Sequence, residues 1–184
     1  MKKMNKEEQL FFNLIGVVAD KANYDYNEQV ETAKRLVKSW SELLSGYNID
    51  EKSLYKTFEV SGESNLVIAK DIEFASICRH HLLPFFGKIA IGYIPNGKVL
   101  GLSKFARIVD CFAKRLQLQE TLVNDIAMSI KNNLNINDFF VIAQATHGCI
   151  MCRGVEKTNM NTINIYTSGK YKAYNEFDII SHFI

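Results

Sequence analysis

The spacing of apolar residues predicts two helices at the start of the chain. Apolar side chains recur every three or four positions over residues 6–22 and again, more clearly, over residues 27–44. Gly46 follows the second stretch at a position that favours the end of a helix. We therefore expect an N-terminal helical region at residues 1–50.

Shorter runs with the character of strands come next. Residues 54–60 and 66–72 are rich in β-forming side chains and are separated by a turn-forming sequence. Residues 88–94 place alternate side chains on one face, namely Ile89, Ile91 and Tyr93, and end at a Pro-Asn-Gly turn. This pattern indicates a half-buried antiparallel sheet.

The second half of the chain repeats the order of helices and then strands. Ser103 is a favourable N-cap for a helix whose apolar residues recur every fourth position, at Ile108, Phe112 and Leu116. The remaining predicted elements are a helix at 119–134, strands at 139–145 and 161–166, and a short terminal helix at 176–184. This order predicts a single α+β domain with a mostly antiparallel sheet, in which residues 51–184 follow the N-terminal helical region.

Length and composition narrow the class of protein. The chain has 184 residues, of which 47% are hydrophobic, enough to bury a core. No apolar run is long enough to cross a bilayer, and residues 1–8 turn acidic before any apolar run, unlike a secretory signal. The net charge is +2 with both signs interspersed, so we expect neither a nucleic acid nor a membrane as partner. A cytoplasmic location is predicted.

The cysteines and histidines are concentrated in two short segments, 78–85 and 147–154. Together these segments hold three of the four cysteines and three of the four histidines. A thiolate and an imidazole three positions apart, as at Cys78 and His81, reach one metal ion from a single turn. A second thiolate, at Cys149, would complete a Cys/His/Cys set typical of zinc.

The neighbouring residues leave two alternatives for such a metal. Three protein ligands leave a tetrahedral ion one position for water, and His80 and His147 would then be free for proton transfer. With Cys152 as a fourth ligand the site would be closed and structural. Any one of these residues alone would be interpreted as an ordinary buried or hydrogen-bonded side chain, but their joint pattern favours a metal site.

The N-termini of two predicted helices contain further residues that could bind a substrate. Ser103 lies at an N-terminus whose unpaired amides attract anions, and Lys104 and Arg107 add cationic donors within one turn. The combination suits a phosphate group, although in isolation a solvated basic face would be preferred. Gln119 and Glu120 begin the next helix, either stabilising its dipole or bonding to the polar edge of a purine.

Together these motifs resemble the GTP cyclohydrolase I family. The resemblance extends from about Thr32 to about Lys157. Its motifs, in the family's order and spacing, are Cys78 to Phe86 with Gly87-Lys88, Gly101-Leu102-Ser103-Lys104 with Arg107, Gln119-Glu120, and His147-x-Cys149 followed by Arg153-Gly154. The resemblance implies a tunnelling fold, a ββααββ unit with a mostly antiparallel sheet, preceded by N-terminal helices. It also implies a homodecamer of two stacked pentamers with active sites shared between subunits.

The resemblance also implies a role for each motif residue. It makes Cys78, His81 and Cys149 the zinc ligands. It makes His80 and His147 the acid/base residues, with Ser103 assisting the later steps on the ribose. Glu120 and Gln119 would bind the guanine base. The residues implied around the triphosphate and ribose are Ser103, Lys104, Arg107, Arg153 and, from another subunit, Arg35.

The activity that the resemblance implies is hydrolysis of a cyclic amidine with Zn²⁺ as cofactor. GTP would lose formate from its opened imidazole ring and expand to 7,8-dihydroneopterin triphosphate, the first step of pterin and tetrahydrofolate biosynthesis in one-carbon metabolism. Two rival hypotheses remain, a tunnelling-fold protein that binds a purine or pterin without turnover and a protein with a purely structural zinc. The chain has Arg79 where the family usually has Glu, and Ala33 where it usually has Pro.

Overall fold

The computed structural model describes residues 4–19, 25–61 and 65–173. The chain divides into two compact units, Met1–Leu44 and Ser45–Ile184. None of the described helices is both long and apolar enough to span a membrane. The division at residue 50 into a helical and a catalytic region of one domain remains a prediction.

The first unit contains the two predicted helices, α1 (Lys6–Ala19) and α2 (Tyr26–Leu43). α2 begins at Asp25, whose carboxylate accepts hydrogen bonds from the backbone amides of Asn27 and Glu28. The helix predictions are therefore confirmed to within a few residues. Residues 20–22, predicted to continue the first helix, lie outside the described residues.

The second unit begins with two short 3₁₀ turns, Ser45–Asn48 and Glu51–Leu54. The regular elements that follow are β1 (Thr57–Glu59), β2 (Val67–Cys78), β3 (Pro84–Tyr93), β4 (Lys98–Leu100), α3 (Leu102–Ala113), β5 (Leu116–Gln117), α4 (Gln119–Leu134), β6 (Phe139–His147), α5 (Gly148–Met151) and β7 (Thr162–Ser168). A 3₁₀ turn at Gly169–Ala173 follows β7. The terminal helix predicted at 176–184 lies outside the described residues.

A five-stranded sheet in the order β5-β2-β3-β6-β7 organises this unit. All of its pairings are antiparallel except that of β5 with β2. Strands β2 and β3, helices α3 and α4, and strands β6 and β7 follow one another along the chain, so the predicted α+β class and ββααββ order are confirmed.

The main core lies between the sheet and helices α3 and α4. The predicted inward face of β3, Ile89, Ile91 and Tyr93, is at most 1% exposed. It belongs to one apolar cluster with the predicted buried side of α4, namely Leu122, Val123, Ile126, Ala127 and Ile130. The alternation of side chains on β3 and the 3.6-residue period of α4 therefore meet at the same core.

Two strand predictions differ from the structure. The predicted strand at 54–60 is confirmed only at Thr57–Glu59, since Leu54 ends a 3₁₀ turn. This short strand, β1, pairs with β4 and not with its neighbour in sequence. The predicted strand at 66–72 continues to Cys78 as β2, past a break in register between Ala69 and Ile72. Antiparallel pairing with β3 over residues 72–77 extends β2 beyond the predicted end of the strand.

Three helix-boundary predictions are wrong. Ser103 is not the N-cap of α3, because the helix already begins at Leu102 and Gly101 is its N-cap, without a side-chain hydrogen bond. Leu116 is not in the helix, since α3 ends at Ala113 and Leu116 pairs with Ile77 in β5. Gly46 does not cap α2. It is buried, and a Cβ there would lie 2.5 Å from the Cys111 carbonyl oxygen.

Candidate active site

The turn between β2 and β3 presents the first cysteine and two histidines. Cys78 ends β2 and is buried, and its amide donates to the Leu83 carbonyl at 2.9 Å while its carbonyl accepts from the Leu82 amide at 2.8 Å. Leu82 closes this turn in the left-handed region, with φ of 54°. The tight reversal leaves His80 and His81 exposed beside the Cys78 thiol.

The end of β6 brings the second cysteine to the same place. His147 pairs with Phe85 at the start of β3, directly after the turn that holds Cys78. A Cβ at Gly148 would lie 2.7 Å from the Pro84 carbonyl oxygen, so only glycine lets α5 begin this close to β3. Cys149 therefore enters α5 next to the β2–β3 turn.

Cys78, His81 and Cys149 form a cluster of ligand atoms that fits a zinc ion. One ligand atom from each lies within 4.8 Å of the others, and Cys78 Sγ lies 3.8 Å from His81 Nδ1. Tetrahedral zinc with ordinary sulfur and nitrogen bond lengths requires separations of about 3.6–3.8 Å between ligand atoms. The donor set is also the one that zinc prefers. These residues would hold the metal with little movement.

The electrostatics of the cluster also suit a cation. Burial raises the pKa of the Cys149 thiol, and the nearby Cys78 raises it further, while the charge of Arg153 acts in the opposite direction. The protein alone therefore stabilises the thiolate of Cys149 poorly. A bound divalent cation supplies the missing stabilisation.

Cys152 does not belong to this cluster. Its side chain is exposed, and its thiol donates to the Gly148 carbonyl at 2.8 Å, one turn back along α5. The three-ligand arrangement is the only group of three or more possible metal ligands among the described residues. The arrangement therefore favours an open metal position over a site closed by a fourth cysteine.

His147 is held beside the cluster by contacts on its edge and its face. Its Nε2 atom lies 2.8 Å from Oε1 of Gln119, and its ring stacks on Phe85 with centroids 4.8 Å apart and planes 3° apart. Burial lowers the pKa of the imidazole, and the carboxylate of Glu120 partly offsets this effect. A mostly neutral imidazole near the metal ligands is suited to proton transfer.

The other predicted site residues fall into two groups. Glu120 and Arg153 are exposed, and each is near enough to act electrostatically on His147 or Cys149. The α3 residues Ser103, Lys104 and Arg107 have no hydrogen bond or ion pair to the cluster within the described part of this single chain. Arg35 belongs to the first unit, where its guanidinium donates to Thr32 at 2.9 Å.

Two features of the site were not predicted from the sequence. Thr162 on β7 donates its hydroxyl to Gln119 Oε1 at 2.5 Å, and Gln119 contacts His147 through the same oxygen. Thr162 carries no motif and lies 43 positions from Gln119, so no sequence signal identifies it. The stacking of Phe85 on His147 follows from the pairing of β3 with β6, which a local pattern does not specify.

Fold and site together define an α+β protein with a Cys-His-Cys cluster, compatible with a metal ion, at the end of a mostly antiparallel sheet. The family model for GTP cyclohydrolase I matches residues 9–179. The chain belongs to the GTP cyclohydrolase I family, which confirms the resemblance seen in the sequence motifs.

Individual relatives agree with this assignment. The chain is 46% identical over 144 residues to GTP cyclohydrolase 1 of Wolinella succinogenes, covering 78% of this chain and 77% of that one. It is 51% identical over 131 residues to the protein of the same name from Hahella chejuensis, covering 70% and 69%. With GTP cyclohydrolase 1 of Bacillus subtilis it shares 40% identity over 175 residues, covering 94% and 91%. Among solved structures it is similar to an archaeosine synthase QueF-like protein, with a TM-score of 0.47 and 20% identity over 60% of this chain and 97% of that one.

Proposed function

We propose that this protein is a zinc-dependent GTP cyclohydrolase I. GTP and one water molecule would be converted to formate and 7,8-dihydroneopterin triphosphate. The observation that carries the proposal is the convergence of Cys78, His81 and Cys149 beside His147, in a chain whose named relatives are GTP cyclohydrolases.

Cys78, His81 and Cys149 would hold the zinc ion. When bound there, zinc supplies a Lewis acid with an open position at which water is acidified. The hydrolytic opening of a purine ring would depend on this centre. Cys152 plays no part as a ligand in the proposal.

His147 would carry the proton that the ring opening needs. Its Nε2 atom is hydrogen-bonded to Gln119, so Nδ1 would be the atom that exchanges a proton with the substrate. Hydrolysis forms a bond from the water oxygen to C8 of the base, and a bond from C8 to a ring nitrogen breaks. Nδ1 of the neutral His147 would take up the proton that the attacking water gives up and deliver it to the nitrogen released. A second hydrolytic step would release formate, and closure of the pterin ring would return one water molecule. His80, exposed on the same turn, would assist the later opening and rearrangement of the ribose, together with Ser103.

Glu120 would recognise the guanine base. Its carboxylate lies in the first turn of α4, is exposed, and is near enough to His147 to act on its imidazole, so both residues could contact one bound base. A carboxylate accepts hydrogen bonds from the amide-like edge of guanine. Arg153, near Cys149, would bind the ribose or phosphate side of the same substrate.

The triphosphate site would be completed by another subunit. Ser103, Lys104 and Arg107 lie at the start of α3, where helix amides and cationic side chains favour an anion. Because they do not contact the metal ligands of their own chain, we propose that they serve the cluster of a neighbouring subunit, with Arg35 contributed likewise. The exposed aromatic side chains of Phe58 (54%) and Phe86 (48%) support an assembly that covers them, in the proposal a homodecamer.

The proposal places the enzyme in the cytoplasm. All four cysteines are free thiols in the structure. Thiols kept reduced, with three of them in or near a metal cluster, are expected in a reducing compartment. The reaction would be the first step towards pterin and tetrahydrofolate cofactors.

The decisive experiment incubates the purified, zinc-loaded protein with GTP and follows formate and dihydroneopterin triphosphate by mass spectrometry. We expect both products from the wild type. His147→Ala should keep its zinc and bind GTP, yet lose turnover by about 10²–10⁴-fold, because general acid–base catalysis contributes that much.

The outcomes separate the rival functions. Intact GTP in the presence of zinc and of the assembled oligomer would refute the cyclohydrolase and leave a protein that binds a purine without turnover. In that case Arg79→Glu would test whether the arginine beside Cys78 is the cause. Turnover that survives His147→Ala at the wild-type rate would show that another group supplies the proton.

A further inference from the structure

We propose that Gln119 and Thr162 act as a pair of positioning residues that hold His147 as the tautomer protonated on Nε2, with Nδ1 left free for the substrate. The catalytic consequence rests on the proposed function, but the tautomer itself does not. Gln119 is predicted from the sequence to bind the guanine base, and the structure gives its side chain a different set of partners.

The orientation of the Gln119 amide is determined by two backbone carbonyls. Its Nε2 atom donates to the carbonyl oxygen of Ala143 at 3.1 Å and to that of Thr162 at 3.0 Å. Carbonyl oxygens only accept hydrogen bonds, so the amide nitrogen must face them. The side chain is 2% exposed, and reversal of the amide would place its oxygen against both carbonyls. The amide therefore has one orientation.

That orientation determines which nitrogen of His147 carries the proton. Gln119 Oε1 faces Nε2 of His147 at 2.8 Å and the hydroxyl of Thr162 at 2.5 Å. An amide oxygen only accepts, so both neighbours must donate to it. The neutral imidazole then carries its proton on Nε2 and a lone pair on Nδ1. Within the described part of the chain, Nδ1 makes no hydrogen bond.

Thr162 makes the arrangement more rigid. Its carbonyl holds the nitrogen of Gln119 and its hydroxyl holds the oxygen, so one residue of β7 contacts both ends of the amide. A longer contact of 3.3 Å joins the same hydroxyl to the Ala145 carbonyl. Phe85 then fixes the plane of the imidazole by stacking. Position, plane and tautomer of His147 are all determined before any substrate binds.

The same contacts leave Gln119 no capacity to bind a purine. An amide side chain has two donor hydrogens and two acceptor lone pairs, and all four are used by Ala143, Thr162 and His147. Glu120, the next residue, is exposed and remains available for the base. When His147 takes up a proton on Nδ1, the Gln119 oxygen stabilises the imidazolium through the bond to Nε2.

The direct test reads the tautomer by nitrogen-15 magic-angle-spinning NMR of the assembled, zinc-loaded protein with labelled histidine. The chain has only four histidines, and the spectrum of His147→Ala identifies the signals of His147. At mildly alkaline pH we expect a protonated Nε2 and an unprotonated Nδ1. A wild-type protein with the proton on Nδ1 would overturn the proposal, whether or not the protein turns over GTP.

The variant Gln119→Met, of similar size and without hydrogen bonds, tests the link from tautomer to rate. It should give a mixture of His147 tautomers and lower kcat by about 10–100-fold, within the range that acid–base catalysis spans, with KM for GTP little changed. A raised KM with unchanged kcat would instead show that Gln119 binds the base, and would overturn the positioning role. A wild-type protein without turnover refutes the proposed function alone, because the tautomer is still measured.

Thr162 offers a milder test with matched controls. Thr162→Val should lower kcat several-fold and broaden the His147 nitrogen signals, while Thr162→Ser should restore both because it keeps the hydroxyl. Thr167→Val removes a hydroxyl from the same strand, away from Gln119, and should leave both readouts unchanged. Equal effects of the two valine variants would mean that only the strand was disturbed, and would overturn the role of Thr162.

Discussion

Helix α4 carries two hydrogen-bond networks that differ in how they end. At its start, Gln119 joins Thr162 to His147 and leaves Nδ1 of the imidazole without a hydrogen bond to any described residue. Towards its end, Ser129 and Asn133 both donate to Glu51, at 2.5 and 3.1 Å, and the Tyr55 hydroxyl lies 2.5 Å from Ser129. The second network ends on a carboxylate inside the protein.

The comparison shows how the Glu51 network, which only supports the fold, differs from the His147 network, which leaves an atom available for a ligand. Both are partly buried, both bridge α4 to a distant segment, and both use ordinary side chains. In the Glu51 network the Ser129 proton goes to the carboxylate, so Tyr55 donates to Ser129 and the chain of donors ends on Glu51. In the His147 network one nitrogen remains for another molecule. In the proposed function, reactivity would depend on that remaining atom and on the Cys-His-Cys cluster beside it.

The largest expected effect comes from removing a metal ligand next to the His147 network. Cys149→Ala leaves two protein ligands, too few for tight zinc binding, so zinc should be lost on dialysis and GTP turnover should fall below detection. Metal analysis and the formate assay measure both. The Glu51 network should survive, with circular dichroism close to that of the wild type. Full zinc occupancy in this variant would contradict the assigned ligand set.

Breaking the Glu51 network should change stability and not catalysis. Ser129 is 4% exposed, and Ser129→Ala leaves Tyr55 without its partner and Glu51 with one donor fewer. We expect a loss of about 1–3 kcal/mol in the free energy of unfolding, measured by urea denaturation. Turnover per zinc-loaded subunit should be unchanged.

The matched control for Ser129→Ala is Ser41→Ala. Ser41 is an exposed serine of α2 whose hydroxyl donates to the Val37 carbonyl one turn back. It should shift the free energy of unfolding by no more than about 0.5 kcal/mol. A loss of turnover in Ser129→Ala at full zinc content would show that the two networks of α4 are coupled.

The pH dependence of stability should reveal the buried phenol of the Glu51 network. Burial raises the pKa of Tyr55 well above its usual value; the bond to Ser129 opposes this and the charge of Glu51 adds to it. The folded state therefore favours the protonated phenol. Its contribution is complete below the unfolded pKa of about 10 and is lost as the pH rises further towards the folded pKa.

Tyr55→Phe measures that contribution. The free energy of unfolding should fall less steeply above about pH 10 in the variant than in the wild type, because the variant has no phenol to ionise in the unfolded chain. A residual slope is expected from Tyr93, whose pKa burial also raises. Identical slopes in urea titrations of the two proteins would show that Tyr55 is solvated when folded.

The smallest expected effect tests whether Cys152 is one of the metal ligands. Cys152→Ala should leave zinc content, folding and turnover unchanged, because its thiol bonds to the Gly148 carbonyl and is exposed. Metal analysis and the GTP assay check this. Loss of zinc from this variant would instead support a closed, structural site with four ligands.

Much of the candidate site was predictable because its residues lie in short motifs. Cys78 and His81 share one turn, and His147 and Cys149 flank the glycine that lets α5 pack closely on β3. The bounds of α4 were also predicted, since its apolar period matches one buried face. Such patterns reflect local geometry and burial, which the order of residues carries directly.

By itself, the sequence determined the order of the main elements, the inward faces of β3 and α4, the two segments that hold the Cys/His cluster, and the family. Only the tertiary structure decided that β1 pairs with β4, that Leu116 joins β2 as a strand, and that Cys152 stays outside the cluster. It alone joined Gln119 to Thr162 and His147. The physical reason is the separation along the sequence of the residues that interact. Periodicity and capping act over a few residues, whereas these contacts depend on how distant strands and helices are registered against one another.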